Sequence, residues 1–194
     1  IVYGSPSEQI ILSKEEKRRT AFHEAAHLLA YKILFPEFPI DFVTIEPRNQ
    51  ALGFVATRSP EEYESLSKRR VMDKLQVMLA GKVAEKICGG SKEEVSTGAS
   101  NDIEKATQLA MHAIYEGGLD DNVGSVNVSM LTRFEESELL ANAQNAVQKW
   151  LANAESAVAE LLDKNIEQLE RVASALLEKE SLLSNEIETL FSNI

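Results

Sequence analysis

Residues 13–35 read Ser13-Lys14-Glu15-Glu16-Lys17-Arg18-Arg19-Thr20-Ala21-Phe22-His23-Glu24-Ala25-Ala26-His27-Leu28-Leu29-Ala30-Tyr31-Lys32-Ile33-Leu34-Phe35. Ser13 followed three residues later by Glu16 is a capping box, the signature of a helix start. Pro36 and Pro39 stop that helix just beyond Phe35. Ala21-Phe22, Ala25-Ala26 and Leu28-Leu29-Ala30 are apolar, so the segment is expected to be largely buried. It nevertheless carries His23, Glu24 and His27, and buried His and Glu require partners. Positions i and i+4 of a helix project from one face, so the two imidazoles can grip one ion. Glu24 can point toward the same ion without binding it and take a proton from a water held there. Imidazole pairs suit zinc, and a catalytic zinc site takes three protein ligands and keeps one position open. The competing reading, polar residues on a surface helix, conflicts with the apolar surroundings.

The third ligand must come from elsewhere. His112 sits mid-helix between Met111 and Ala113, where a lone histidine is usually a surface or core filler. Asp102 falls in the first turn of a helix after a Gly-containing turn, although an acid is favoured there by the helix dipole in any case. Spacing alone does not separate Asp102 from Glu85 or Glu104.

Outward from this helix, residues 1–12 read as an extended leader broken by Gly4 and Pro6. Asp41–Glu46 and Leu52–Thr57 are strand-like, and Pro47 and Asn49 between them predict a hairpin. A second helix is predicted from about Ser67 to Cys88, with Val71, Leu75, Met78, Leu79 and Val83 on one broad face. A turn-rich stretch, Ser91–Ser100, leads to a third helix from about Asn101, capped by an Asn101–Glu104 pair and ended by Gly117-Gly118. Residues 118–134 read as a loop with some strand character. The remainder is helical, with a break near Asp163–Asn165 and a short last helix after Ser184. The fold class expected is mainly α, with a small β-hairpin or sheet next to the metal helix and a C-terminal helical hairpin. The expected organisation is a leader (1–12), a core (13–134) and a C-terminal helical region of the same domain (135–194).

Composition limits the function. The 194 residues hold 31 acids against 20 bases, a formal charge of −11. That balance excludes a nucleic-acid surface, which needs clustered Lys and Arg. The charge is uneven: residues 1–120 carry 18 acids and 15 bases, residues 121–194 carry 13 and 5. The acids of the last third fall between apolar stripes and read as a solvated outer face. Cys88 is the single cysteine, so no disulfide forms within the chain, which points to a reducing compartment. No run of about 18 apolar residues occurs, and this piece is expected to be soluble.

Three stretches together carry a resemblance. His23–His27, Leu79-Ala80-Gly81-Lys82-Val83-Ala84-Glu85 and Ser96-Thr97-Gly98-Ala99-Ser100-Asn101-Asp102 resemble the peptidase domain of the FtsH family of AAA+ zinc metalloproteases. Ile11–Thr20, Val43–Pro47, Ala51-Leu52-Gly53 and Ala175–Glu180 are similar to the family as well, so the likeness covers nearly the whole chain. The resemblance implies that His23, His27 and Asp102 bind Zn2+, that Glu24 is catalytic, and that His112 is not a ligand. It implies that Gly53, Phe54, Val55 and Ala56 form an edge strand along which unfolded or misfolded protein substrates lie. The implied function is a zinc-dependent endopeptidase domain, the proteolytic part of an ATP-dependent, membrane-associated protease that assembles as a homo-hexamer. The parent would be membrane-anchored, with the peptidase in the cytoplasm, matrix or stroma. The family usually has Gly where Ala26 stands, a basic, Gly-containing tip where Arg48-Asn49-Gln50 stands, and a different loop over Glu116–Val126. These departures motivate an alternative, a catalytically impaired zinc-binding or assembly module. Gly81-Lys82 lacks the upstream Gly of a phosphate loop. An AAA+ ATPase module is therefore expected in cis in a parent protein or in trans, and Ile1 fits a fragment or a natural relative without the motor.

Overall fold

The structure, a computed structural model, describes residues 12–47, 53–57, 66–89, 96–131 and 138–192. The predicted leader up to residue 11, the hairpin tip at Arg48-Asn49-Gln50 and the boundary between residues 134 and 135 lie outside the described residues.

Helix α1 (Lys14–Leu34) begins as the sequence predicts. The Ser13 side chain accepts from the Glu16 N–H, and the Glu16 carboxylate accepts from the Ser13 N–H at 2.9 Å. From Thr20 to Tyr31 the helix is buried on nearly every side except at His23 and His27, and it forms the central rod of the molecule. Its alanines, Ala21, Ala25, Ala26 and Ala30, have no exposed surface. Such small side chains let neighbouring helices approach closely.

Helix α2 (Lys68–Gly89) packs along α1, and Val71, Leu75, Leu79 and Val83 of the face read from the sequence are buried. Helix α3 (Ser100–Met111) packs on α2. A tight turn, Thr97–Ala99, runs into α3 without a break, and Ser96 rather than Asn101 supplies the cap, with its hydroxyl accepting from the Gly98 N–H. The predicted Asn101–Glu104 pair therefore does not form. Asn101 already lies inside the helix, and Glu104 accepts from the Gln108 side chain instead. Past α3 the helix widens into a single π turn, His112–Glu116. Residues 118–131 contain a short turn, Val128–Met130, and no strand, against the strand character read for that segment.

Helix α4 (Glu138–Lys164) lies against α2, and α5 (Ile166–Lys179) lies against α1, so each of the last long helices covers a different partner. The predicted break falls at Asn165. Strands β1 (Ile40–Thr44) and β2 (Phe54–Thr57) pair antiparallel as the predicted hairpin, with Val43 opposite Val55. A third strand, β3 (Ser181–Leu183), was not legible in the sequence. It pairs antiparallel with the other side of β1, giving the order β2-β1-β3. Glu180, at φ +62°, turns the chain out of α5, and its carbonyl accepts from the Ile45 N–H at 2.9 Å. Helix α6 (Ser184–Phe191) then seats Ile187, fully buried, beneath β1.

Candidate metal centre

Helix α1 presents His23 and His27 one turn apart, and the start of α3 brings Asp102 to them. His23 Nε2 lies 3.0 Å from His27 Nε2 and 3.1 Å from Asp102 Oδ2. His27 Nε2 lies 3.3 Å from the same oxygen. A tetrahedral ion with bonds of about 2.0 Å holds its ligand atoms about 3.3 Å apart. The three donor atoms therefore fit one face of a zinc tetrahedron. They form the one group of three His, Cys, Asp or Glu donors close enough to hold a metal among the described residues.

The remaining ring nitrogens are also engaged. His27 Nδ1 donates to the Val77 carbonyl at 2.7 Å, and His23 Nδ1 donates to Glu85 Oε1 at 3.0 Å. Each bond fixes the tautomer that leaves Nε2 for the cluster, the arrangement usual for metal-binding imidazoles. Glu85 is thus the partner of a candidate ligand rather than a ligand. Its other oxygen accepts from the Ser96 N–H at 2.8 Å and the Ser96 hydroxyl at 2.9 Å. Burial raises the Glu85 pKa, but these bonds from His23 and Ser96 outweigh it and hold the carboxyl below its ordinary value. Burial likewise opposes charge on His23, yet its bonds with Asp102 and Glu85 push its pKa up to about 10. Burial would raise Asp102, but its contacts with the two imidazoles depress it. A bound cation would compete with the proton on His23.

Glu24 is buried at 6% exposure and does not join the cluster. Burial raises its pKa, against the lowering influence of His27 and His23. Its carboxyl lies against Gly53, at the head of β2. A Cβ on Gly53 would stand 2.8 Å from Glu24 Oε1 and 2.7 Å from the Thr44 carbonyl. Gly81 of α2 is equally constrained, because a Cβ there would stand 2.4 Å from His23 Nε2. A glycine inside a helical pattern usually has a packing reason, and that signal was present in Leu79-Ala80-Gly81-Lys82. The Val77 carbonyl had no sequence signal.

His112 lies apart, 71% exposed and paired with Glu116 at 3.1 Å. Glu104 is exposed on α3. Of the four residues read as an edge strand, Gly53 abuts Glu24, Ala56 is buried, and Phe54 and Val55 are half-buried. Among the described residues, β1 is the one strand that pairs with β2.

Two helix-borne imidazoles, a carboxylate from a second helix and a buried glutamate beside them define a helical metallopeptidase domain. Comparison with known sequences agrees. The family model of peptidase family M41 matches residues 10–190, and the chain belongs to that family. Among its relatives, the ATP-dependent zinc metalloprotease FtsH 4 of Sorangium cellulosum is 35% identical, covering 98% of this chain and 31% of the relative. The ATP-dependent zinc metalloprotease FtsH 1 of Symbiobacterium thermophilum is 36% identical, with 98% and 31% covered. The chloroplastic/mitochondrial ATP-dependent zinc metalloprotease FTSH 11 of Arabidopsis thaliana is 32% identical, with 98% and 23% covered. The chain thus spans about a third or less of the length of the curated relatives it matches. Among the described residues, no helix is long and apolar enough to cross a membrane.

Proposed function

We propose that this chain is a zinc-dependent endopeptidase domain acting on extended segments of unfolded or misfolded proteins. The observation that carries the reading is the convergence of three donor atoms beside Glu24, whose carboxyl lies against Gly53 at the head of β2. His23 and His27 offer Nε2 and Asp102 offers Oδ2 to the metal. Bound zinc supplies a Lewis acid that polarises a carbonyl and acidifies water. Glu24 takes the proton of the attacking water and later delivers it to the leaving amine nitrogen. Burial raises its pKa, which makes it a stronger base for that exchange. The Gly53–Ala56 segment holds the substrate backbone by strand addition, which selects extended chain over any side-chain sequence. A folded protein offers no such segment. The proposal therefore includes an AAA+ unfolding module, in cis or in trans, consistent with the ATP dependence in the relatives' names. A homo-hexameric ring and a membrane-anchored parent complete the reading by resemblance.

The alternative, an impaired zinc-binding module, drew on Ala26. That methyl group is wholly buried in the core, and the donor atoms lie within 3.3 Å of one another, an arrangement both readings share. The test is Glu24→Gln. It should keep one zinc per chain and abolish cleavage of casein. Undiminished cleavage overturns the role given to Glu24, and a wild-type chain that holds zinc but never cleaves favours the alternative.

A further inference from the structure

We propose that Ser96 is a positioning residue that sets the metal affinity of the site. It ties Glu85, which orients His23, to the turn that carries Asp102. The inference rests on the reading that His23, His27 and Asp102 hold zinc.

A serine hydroxyl has one proton to donate and lone pairs to accept with. Here both capacities are used. The proton goes to Glu85 Oε2 at 2.9 Å, and a lone pair takes the Gly98 N–H at 3.0 Å. The Ser96 backbone N–H adds a second bond to the same carboxylate oxygen at 2.8 Å. Glu85 is thereby held with Oε1 aimed at His23 Nδ1, 3.0 Å away. Glu85 is only 3% exposed, so the bonds to its carboxylate are largely shielded from water, while the Gly98 bond lies at the surface.

The other arm reaches Asp102. Gly98 belongs to the turn Thr97–Ala99, which passes directly into α3, and α3 has no side-chain cap of its own. Ala99, 1% exposed, anchors that turn in the interior. The direction in which α3 enters, and with it the place of Asp102 in the first turn, follows from the turn that Ser96 closes. A serine that merely capped this turn would need the Gly98 bond alone. The hydroxyl proton instead goes to the carboxylate that holds a candidate ligand. Gly98 fits the same arrangement, since a Cβ there would stand 3.0 Å from Ser96 Oγ and 3.7 Å from Glu85 Oε1.

Outer partners of metal ligands are worth roughly 10- to 100-fold in affinity. Ser96→Ala keeps the backbone donor and loses both hydroxyl bonds. It should weaken Zn2+ binding by about 10-fold in competition with a chelator. Ser96→Thr, which retains the hydroxyl, should restore wild-type binding. With Co2+ in the site, the visible absorption band should change shape in Ser96→Ala and return in Ser96→Thr. In a Glu85→Gln background, Ser96→Ala should cost less than it does alone, because part of its effect passes through Glu85. Melting in EDTA should fall by only about 2–4 °C in Ser96→Ala, the cost of a lost cap. Gly98→Ala, which crowds the hydroxyl without removing it, gives a second route and should weaken zinc in the same direction.

Unchanged zinc affinity and cobalt spectrum in Ser96→Ala would overturn the positioning role while leaving the metal site intact. A loss that Thr does not rescue, or one fully additive with Glu85→Gln, would overturn it too. A wild-type chain that holds no zinc overturns the underlying site and this inference together.

Discussion

Gly81→Ala should separate folding from metal binding. Gly81 lies in the interior of α2, and a Cβ built there stands 2.4 Å from both Cε1 and Nε2 of His23 and 2.6 Å from Cδ2. Non-bonded heavy atoms rest about 3.5–4.0 Å apart, so the ring must retreat by at least about 1 Å. It has nowhere suitable to go, because Glu85 and Asp102 hold it from its two nitrogens. Functional constellations tolerate displacements of about 0.5 Å. The retreat therefore carries Nε2 out of the 3.0–3.3 Å triangle that it forms with His27 and Asp102. Because a candidate ligand itself is displaced, the loss in zinc affinity should reach at least the upper end of outer-partner effects, about 100-fold. The helix has no reason to fail. Alanine is favoured over glycine in a helix interior by about 1 kcal/mol, which offsets part of an overpacking cost of about 1–3 kcal/mol. The expected outcome is a folded protein, melting close to wild type in EDTA, that loses zinc to a chelator wild type resists. A Gly81→Ala protein with wild-type zinc affinity would refute the argument that this glycine makes room for His23.

Gly53→Ala should act on turnover instead. Its Cβ meets Glu24 Cγ and the Thr44 carbonyl, both at 2.7 Å, and the carbonyl belongs to the sheet backbone. Casein cleavage should fall by about 100-fold, the effect of a displacement near 1 Å at a reacting group, with zinc content unchanged; full activity would exclude close packing of Glu24 on β2. Asp120 is buried and accepts from Trp150 Nε1 at 2.8 Å and the Asn122 N–H at 3.0 Å. Asp120→Ala should cost about 1.5–3 kcal/mol in urea unfolding. Burial raises the Asp120 pKa, but these hydrogen bonds outweigh it and leave it lowered. The stability it contributes is therefore present above the unfolded value of about 3.9 and lost as pH falls through the folded one. Asp120→Asn should flatten that acid limb, and an unaltered limb would assign the loss to other groups. Ile187→Ala should cost about 2–5 kcal/mol, since the side chain is fully buried; a cost below about 1 kcal/mol would mean that α6 is not part of the core.

The elements that the sequence made legible are those with strong local punctuation. The Ser13 capping box and Pro36 bracket α1 to within a residue or two, and glycines close α2. β3 escaped because three residues carry no periodicity, and its partner β1 lies about 140 residues earlier in the chain. The Asn101–Glu104 pattern misled because a tight turn ahead of it had already set the helix entry at Ser96. The two histidines were legible since one helix carries both. Spacing alone did not single out the third donor, because Asp102, Glu85 and Glu104 are all acids on helices outside α1, and only the family resemblance pointed to Asp102. Tertiary packing gives them different tasks. Asp102 presents Oδ2 to both Nε2 atoms, Glu85 meets His23 from Nδ1, and Glu104 turns outward to Gln108.

Among the described residues, the acidic C-terminal third contributes no donor to the cluster, yet it bears on the chemistry through the sheet. β3 pairs with β1, β1 pairs with β2, and β2 directly follows the glycine against which Glu24 lies. Lys17 with Glu180 and Lys32 with Glu188, each pair at 2.5 Å, tie the same segment to α1, the helix that carries both histidines. The two edges of the sheet are also unlike. At β3 the Leu183 N–H donates to Glu186 at 2.9 Å, so that backbone donor is already satisfied at the start of α6. β2 has no second strand partner among the described residues. Edge strands recruit extended chain unless they are covered. With the β3 side occupied by its own helix cap, β2 is the edge that suits the strand addition proposed above, on the side where Glu24 lies.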